Sequence, residues 1–122
     1  MKKVMSYVRG IRGATAVEND EEKEIYRATR ELLEEMVEQN DVDIKSITTV
    51  LFSSTPDLKS AFPAKAARKM GWDNVPLFCH AEIAVDGALP RCIRVLILFN
   101  TAMKQDQVKH VYQKGTASLK ND

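Results

Sequence analysis

The chain has 122 residues, 44% of them hydrophobic and 29% charged, which suits one domain over 1–122 with a single core and leaves too little for two. Eighteen basic against seventeen acidic residues give a net charge of +1, which argues against a nucleic-acid or anionic-membrane surface. No apolar run approaches the ~20 residues that cross a bilayer, and the opening MKKVMSYV lacks the apolar stretch and cleavage site of an export signal, so the two cysteines are expected as free thiols in a reducing cytoplasm.

In chain order, VMSYVRGIRGATAV (4–17) reads as a strand broken by Gly10 and Gly13. NDEEKEIYRATRELLEEMVEQN (19–40) is the clearest helix, because Ile25, Ala28, Leu32, Leu33, Met36 and Val37 make one apolar stripe at helical spacing. Asn19 with Glu22 three residues later has the pattern of an N-cap, and acidic residues crowd the first turn, where the helix dipole favours them. SITTVLFSS (46–54) is β-branched and apolar, hence a strand. TPDLKSAFPAKAARKMG (55–71) holds a short helix, with Pro63 in its first turn and Gly71 just past its end. VPLFCHAEIAV (75–85) and RCIRVLILFNT (91–101) are strands separated by a loop around Asp86, Gly87 and Pro90. In the tail, KQDQVKHVYQKGTASLKND, a short turn of helix or strand is expected near Tyr112, with fraying at the end. The order β-α-β-α-β-β predicts an α+β fold, a mixed sheet with helices packed on it.

One arginine stands out. In CIRVLILFN (92–100), Ile93, Val95, Ile97 and Phe99 point one way while Cys92, Arg94, Leu96 and Leu98 point the other. Both faces are apolar, so the strand is expected to be covered on both sides. A guanidinium there cannot shed its proton and needs an anion beside it. Composition leaves two partners open, a structural pair with Glu82 and an anionic ligand. Arg9, Arg12, Lys65 and Arg68 add further cations, which taken singly read as surface charges of little energetic worth. Arg9 and Arg12 are three apart, so in an extended chain only one of them faces a given pocket.

The common catalytic signatures are absent: the chain has no P-loop, no GxGxxG, no GxSxG and no HExxH. Cys79, His80 and Cys92 lack the paired short spacings of a structural zinc site, so no metal is expected, and His80 reads as an ordinary, partly exposed histidine. A Cys79 nucleophile would need His80 or His110 as its base. Strand neighbours point to opposite faces, however, and Cys79 reads first as a small buried residue. What remains is a guanidinium-rich pocket suited to a small compound with carboxylates.

Five blocks, VRGIRGATAVEND, SSTPDLKSAFPAKAAR, the Cys-x-x-Glu at 79–82, CIRVLILFN and QDQVKHVY, resemble in content and order the AroH-class chorismate mutases, small monofunctional enzymes of the Bacillus and Thermus type. The resemblance runs from about residue 8 to about residue 119. It implies a pseudo-α/β-barrel homotrimer with active sites at the subunit interfaces. It also implies isomerisation of chorismate to prephenate in phenylalanine and tyrosine biosynthesis, without any cofactor. On this resemblance Arg12 and Tyr112 hold a substrate carboxylate, Cys79 and Glu82 lie near the ring hydroxyl, and Arg94 sits at the ether oxygen. Phe62, Ala64, Lys65 and Arg68 match the stretch that lines or borders the pocket from across a subunit boundary, and Leu119 matches a wall residue.

The chain departs from that pattern at Leu77 and Phe78, where a smaller Val-Thr-like pair is familiar, so Phe78 is expected to meet substrate through its backbone. The loop DGALPR departs too, carrying Ala88 and Pro90 in place of a Gly-Gly pair and a lysine. If both Cys79 and Glu82 reach one pocket, the strand must bulge or end between them. Two further readings stand beside the enzyme: an enamine/imine deaminase of similar fold, and a non-catalytic trimer that binds a carboxylate metabolite.

Overall fold

The computed structural model describes residues 5–121. Its strands are β1 (Tyr7–Ala16), β2 (Ile47–Ser54), β3 (Leu77–Ala81), β4 (Cys92–Thr101) and β5 (Val111–Tyr112), and its helices are α1 (Glu22–Gln39) and α2 (Ala64–Lys69). The strands form one mixed sheet in the order β3-β2-β4-β1-β5. The two long pairings, β1 with β4 and β2 with β4, are antiparallel, while β3 and β5 join the two edges in parallel. The α+β class read from the element order is the one observed. The expected first residue of β1, Val4, lies outside the described residues.

Strand β1 is continuous, not broken at its glycines. Gly13 is present for packing: a Cβ there would lie 2.3 Å from Met36 Sδ, so its absence lets α1 press directly on the sheet. The stripe Ile25, Ala28, Leu32, Leu33 and Met36 is fully buried on that side, each large side chain contributing ~1.5–3 kcal/mol of burial. Against it stand Ile11 of β1, Val50 and Phe52 of β2, and Ile93, Val95, Ile97 and Phe99 of β4.

The helix ends differ from expectation for identifiable reasons. Asn19 does not cap α1; the N-cap is Glu21, with no side-chain cap. Instead the Glu24 carboxylate reaches back to accept the N–H groups of Glu18 (2.6 Å) and Asn19 (3.2 Å). The second helix, by contrast, is short with Pro63 at its start, as expected, and the backbone before it is engaged elsewhere. Asp20 accepts the N–H groups of Lys59 and Ser60, both at 3.0 Å, which keeps them out of helical bonding. Gly71, at φ +88°, follows the helix end as expected.

Strand β3 is shorter than 75–85. Its pairing finishes with the Glu82 N–H donating to the Ser54 carbonyl (2.9 Å), and the chain then leaves the sheet through a loop that returns at Arg91. Arg91 has φ +49°, a left-handed conformation held by the Asp57 carboxylate, which accepts its N–H at 2.9 Å. The tail contains a strand at Tyr112, then a 3-10 turn over Ala117–Asn121; Asp122 lies outside the described residues.

The helices cover one face of the sheet only. On the other face Leu51, Leu96 and Leu98 are half-buried, so the expectation that β4 is covered on both sides does not hold within one chain.

Candidate active site

Register turns that open face into a site. Two adjacent rows run across it. One is Phe78, Leu51, Leu96 and Arg12; the other is His80, Ser53, Arg94, Ala14 and Tyr112. Arg12, Arg94 and Tyr112 therefore share a face although they come from three strands. Together with Glu82, His80, Ser53, Leu51 and Leu96 they line a cavity of about 400 Å³.

Arg94 lies near the start of β4, its Nη1 3.4 Å from Glu82 Oε2, with the two side chains 29% and 22% exposed. This is the guanidinium's one side-chain hydrogen bond among the described residues, so most of an arginine's five N–H donors lack a protein acceptor there. Glu82 reaches the pair because it lies two residues beyond His80, on the same face of the sheet, with its backbone still bonded to Ser54. The ion pair also borders a second cavity of about 630 Å³, lined by Leu119, Cys92, Thr55 and the loop after Glu82. The pair is thus a wall between two cavities, not a buried structural contact.

Arg12 is held at both ends. Its backbone N–H donates to His110 Nδ1 (2.9 Å), and its guanidinium donates to the carbonyls of Leu119 (2.8 Å) and Lys120 (3.1 Å) in the last turn. Its Cζ lies 5.9 Å from the centre of the Tyr112 ring. The Tyr112 hydroxyl is buried and has no hydrogen-bond partner among the described residues, an arrangement that calls for a polar group in the cavity. Arg9 turns away, donating from Nε to the Met103 carbonyl (2.8 Å), in keeping with the three-residue spacing.

The remaining candidates lie elsewhere on the chain. Cys79 is opposite Phe52, on the helix side of the sheet, and its cavity of about 540 Å³ is shared with Phe62, Lys65 and Tyr26. The thiol of Cys79 and the carboxylate of Glu82 thus face different cavities of one chain, as their three-residue spacing requires, and neither a bulge nor a strand end brings them together. Phe78 lies on the open face at the sheet edge, 60% exposed, with its ring edge-on to His80 at 4.4 Å. Ala64 packs on the core, and Arg68 is exposed, donating to the Trp72 and Asp73 carbonyls beyond its helix. Phe62 is 73% exposed, a large ring bare of any contact that would bury it within one chain.

The surroundings displace two titratable groups, Cys92 and His110, from their ordinary values. Burial first, then the negative charges of Asp57 and Glu82, push the Cys92 thiol above its ordinary range, so it stays protonated. Burial and the adjacent Arg12 hold His110 below the usual histidine value. No group of three or more metal-ligating side chains occurs among the described residues, and no helix there is long and apolar enough to cross a membrane. Ser53, Leu51 and Leu96 are absent from the sequence candidates, and His80 enters there only as an ordinary histidine or a base for Cys79. Their signal was the alternation of LFSS in register with Arg94, which requires the strand pairing to be known.

The comparisons with known proteins agree with one another. A family model described as chorismate mutase type I matches residues 8–122. Chorismate mutase AroH of Bacillus subtilis is 46% identical over 116 residues, covering 94% of this chain and 91% of that protein. The AroH of Thermus thermophilus is 50% identical over 116 residues, covering 94% and 95%. A solved structure of a chorismate mutase from Clostridium thermocellum superposes with a TM-score of 0.88 at 44% identity, covering 89% of this chain and 97% of that one.

Proposed function

The chain belongs to the chorismate mutase type I family and is an isomerase converting chorismate to prephenate, and from that premise we propose how its own residues accelerate the reaction. Neither a carboxylate-binding protein nor a deaminase finds support among its relatives.

The rearrangement is intramolecular: an ether C–O bond breaks as a C–C bond forms, with no proton transferred and no covalent intermediate. The substrate carries two carboxylates and must fold so that its reacting carbons meet. Arg12 and Tyr112 grip the side-chain carboxylate and favour that compact conformer. The observation that supports this grip is the buried, unpartnered Tyr112 hydroxyl beside a guanidinium whose acceptors are the carbonyls of the last turn. Those carbonyls stand in for carboxylate oxygens and give way to them on binding.

As the ether bond stretches, negative charge gathers on its oxygen. Arg94, preorganised against Glu82 and with donors to spare, stabilises that charge more than it stabilises the ground state, which is what lowers a barrier. Glu82 accepts a hydrogen bond from the ring hydroxyl, and Cys79 and Phe78 border that end through their backbone, since the thiol faces the helix side and the Phe78 ring lies at the sheet edge.

The active enzyme is a homotrimer, its sheets assembled so that the open faces are enclosed and each site is completed by Phe62, Ala64, Lys65 and Arg68 of a neighbouring subunit. The apolar open face, with Leu51, Leu96 and Leu98 half-buried and Phe62, Ile83 and Val85 exposed by 63–80%, supports this assembly. Leu119 walls the Arg94 side. We place the enzyme in the cytoplasm.

The test combines assay and mixing. Purified protein should convert chorismate to prephenate and elute as a trimer. Arg94→Ala and Arg68→Ala, each impaired alone, should recover activity when refolded together, because some mixed trimers then hold an intact shared site. Absence of recovery would place both residues in one subunit's site.

A further inference from the structure

We propose that His110 is a positioning residue for substrate binding: its Nδ1 lone pair ties the backbone of Arg12 to the β5 segment, and protonation of the ring releases that tie and loosens the carboxylate grip. The inference rests on Arg12 and Tyr112 forming that grip.

Strand β5 is two residues long, pairing Val111 with Gly13 and Tyr112 with Ala14. Arg12 therefore lies one position beyond the paired stretch, and its N–H is satisfied by the His110 ring at 2.9 Å. At the other end the Gln113 N–H donates to the Ala14 carbonyl (2.9 Å). The backbone just before the ring is fixed as well. Asn40, buried at the end of α1, accepts the Lys109 N–H (2.7 Å) and donates to the Lys109 carbonyl (2.8 Å). The imidazole is thus delivered to Arg12 by a segment anchored on both sides, and it spans the two strands that carry the gripping side chains.

A backbone N–H that donates to Nδ1 requires a lone pair on that nitrogen, so the ring is neutral with its proton on Nε2. A second proton would set N–H against N–H, and either the ring or the backbone of Arg12 must move. Burial and the Arg12 guanidinium both oppose that proton, holding the group below its ordinary value of 6.5. Arg12, from β1, is the charged group acting on the ring. On its own segment the ionisable neighbours are Lys109 and Tyr112; the last turn, which holds the Arg12 guanidinium, brings Lys120; α1 contributes the neutral Asn40.

Two effects of protonation have opposite signs. An extra cation beside Arg12 would tighten binding of a dianion, whereas loss of the acceptor would loosen Arg12. The proposal commits to the second, so substrate binding weakens as pH falls through the window below 6.5.

The experiment measures kcat and KM for wild type, His110→Asn, His110→Gln, His110→Ala and Arg12→Ala between about pH 5 and pH 8. Wild type should show a KM rising roughly 3- to 10-fold on the acid side, about the worth of one hydrogen bond, with kcat little changed. The Asn side-chain oxygen falls near the place of Nδ1 and cannot take up a proton there, so His110→Asn should keep the neutral-pH KM and lose the acid limb. Gln, which mimics Nε2, and Ala should have a raised KM at every pH. A wild-type KM that is flat or falls at acid pH, or an Asn variant no better than Gln, overturns the proposal. If Arg12→Ala raises KM while the His110 variants match wild type, the positioning role alone fails. An unchanged KM in Arg12→Ala overturns the grip itself. Should the Ala variant not fold, the Asn and Gln variants still decide.

Discussion

Replacing Arg94 by alanine separates what this residue does for the fold from what it does for the reaction. At 3.4 Å two unit charges attract by about 5 kcal/mol at an effective dielectric constant near 20, before any cost of desolvation. With side chains 29% and 22% exposed, water screens the pair and offsets most of that attraction, leaving about 1 kcal/mol or less. Without its partner Glu82 remains wettable, so Arg94→Ala should fold, with a modest loss in denaturant midpoint. Activity should suffer far more. Removing a donor aimed at a developing oxyanion costs ~3–4 kcal/mol, a fall in kcat of roughly 10²–10³-fold. KM should change less, because the interaction is made mainly in the transition state. The assay follows loss of the conjugated diene of chorismate, alongside urea unfolding of both proteins at matched concentration. A folded Arg94→Ala enzyme with kcat within tenfold of wild type would refute the reasoning. Loss of folding would show the Arg94–Glu82 pair to be mainly structural.

Gly13→Ala places a methyl 2.3 Å from Met36 Sδ and 3.2 Å from Leu32 Cδ1, so it should destabilise the fold by ~1–3 kcal/mol, read as a lower denaturant midpoint. In a Met36→Ala background the same change should cost much less, a coupling measurable by a double-mutant cycle. Glu24 is held below the ordinary carboxylate value of 4.5, chiefly by the Glu18 N–H, with burial opposing and the Asn19 N–H and Arg27 assisting. Its stabilising effect is therefore present above that value and fades as pH falls through the lowered one, so Glu24→Gln should unfold with a shallower acid dependence below about pH 4.5. Cys92, buried and with its thiol raised, should resist alkylation at neutral pH in the folded protein and react fully once it is unfolded. Removing the last turn, from Ala117 onward, should raise KM through loss of the Leu119 wall, by more than the release of Arg12 from its competing carbonyls lowers it; steady-state kinetics of the shortened chain checks this.

Periodicity was a good guide wherever one element carried its own evidence. The apolar stripe of α1 and the alternation in β4 both predict the face they bury, because burial there repeats at the period of the element. It failed where one element's conformation depends on another. Gly13 reads as a strand breaker until Met36 is known to lie above it. The site was least legible from local pattern. That Arg12, Arg94 and Tyr112 share a face follows from Ala14 being opposite both Arg94 and Tyr112, a register no window of sequence contains. The family resemblance, not spacing, joined those residues in advance. The open face of the sheet was illegible for a related reason: Leu96 and Leu98 look like core residues in sequence, yet no element among the described residues covers them.

Strand β1 is made before every other strand of the sheet and is completed by the last of them. Its long partner is residues 92–101 and its short one 111–112, so a nascent chain carries β1 unpaired while the intervening helices and strands are synthesised. The hairpin-like pairing of nearest neighbours that shields an early strand in other proteins is not open to it, since β2 pairs with β3 and β4 instead. The sheet therefore closes only once β4 and β5 have been made, and until then Ile11 and its neighbours form an exposed edge for chaperones to cover or for aggregation to exploit.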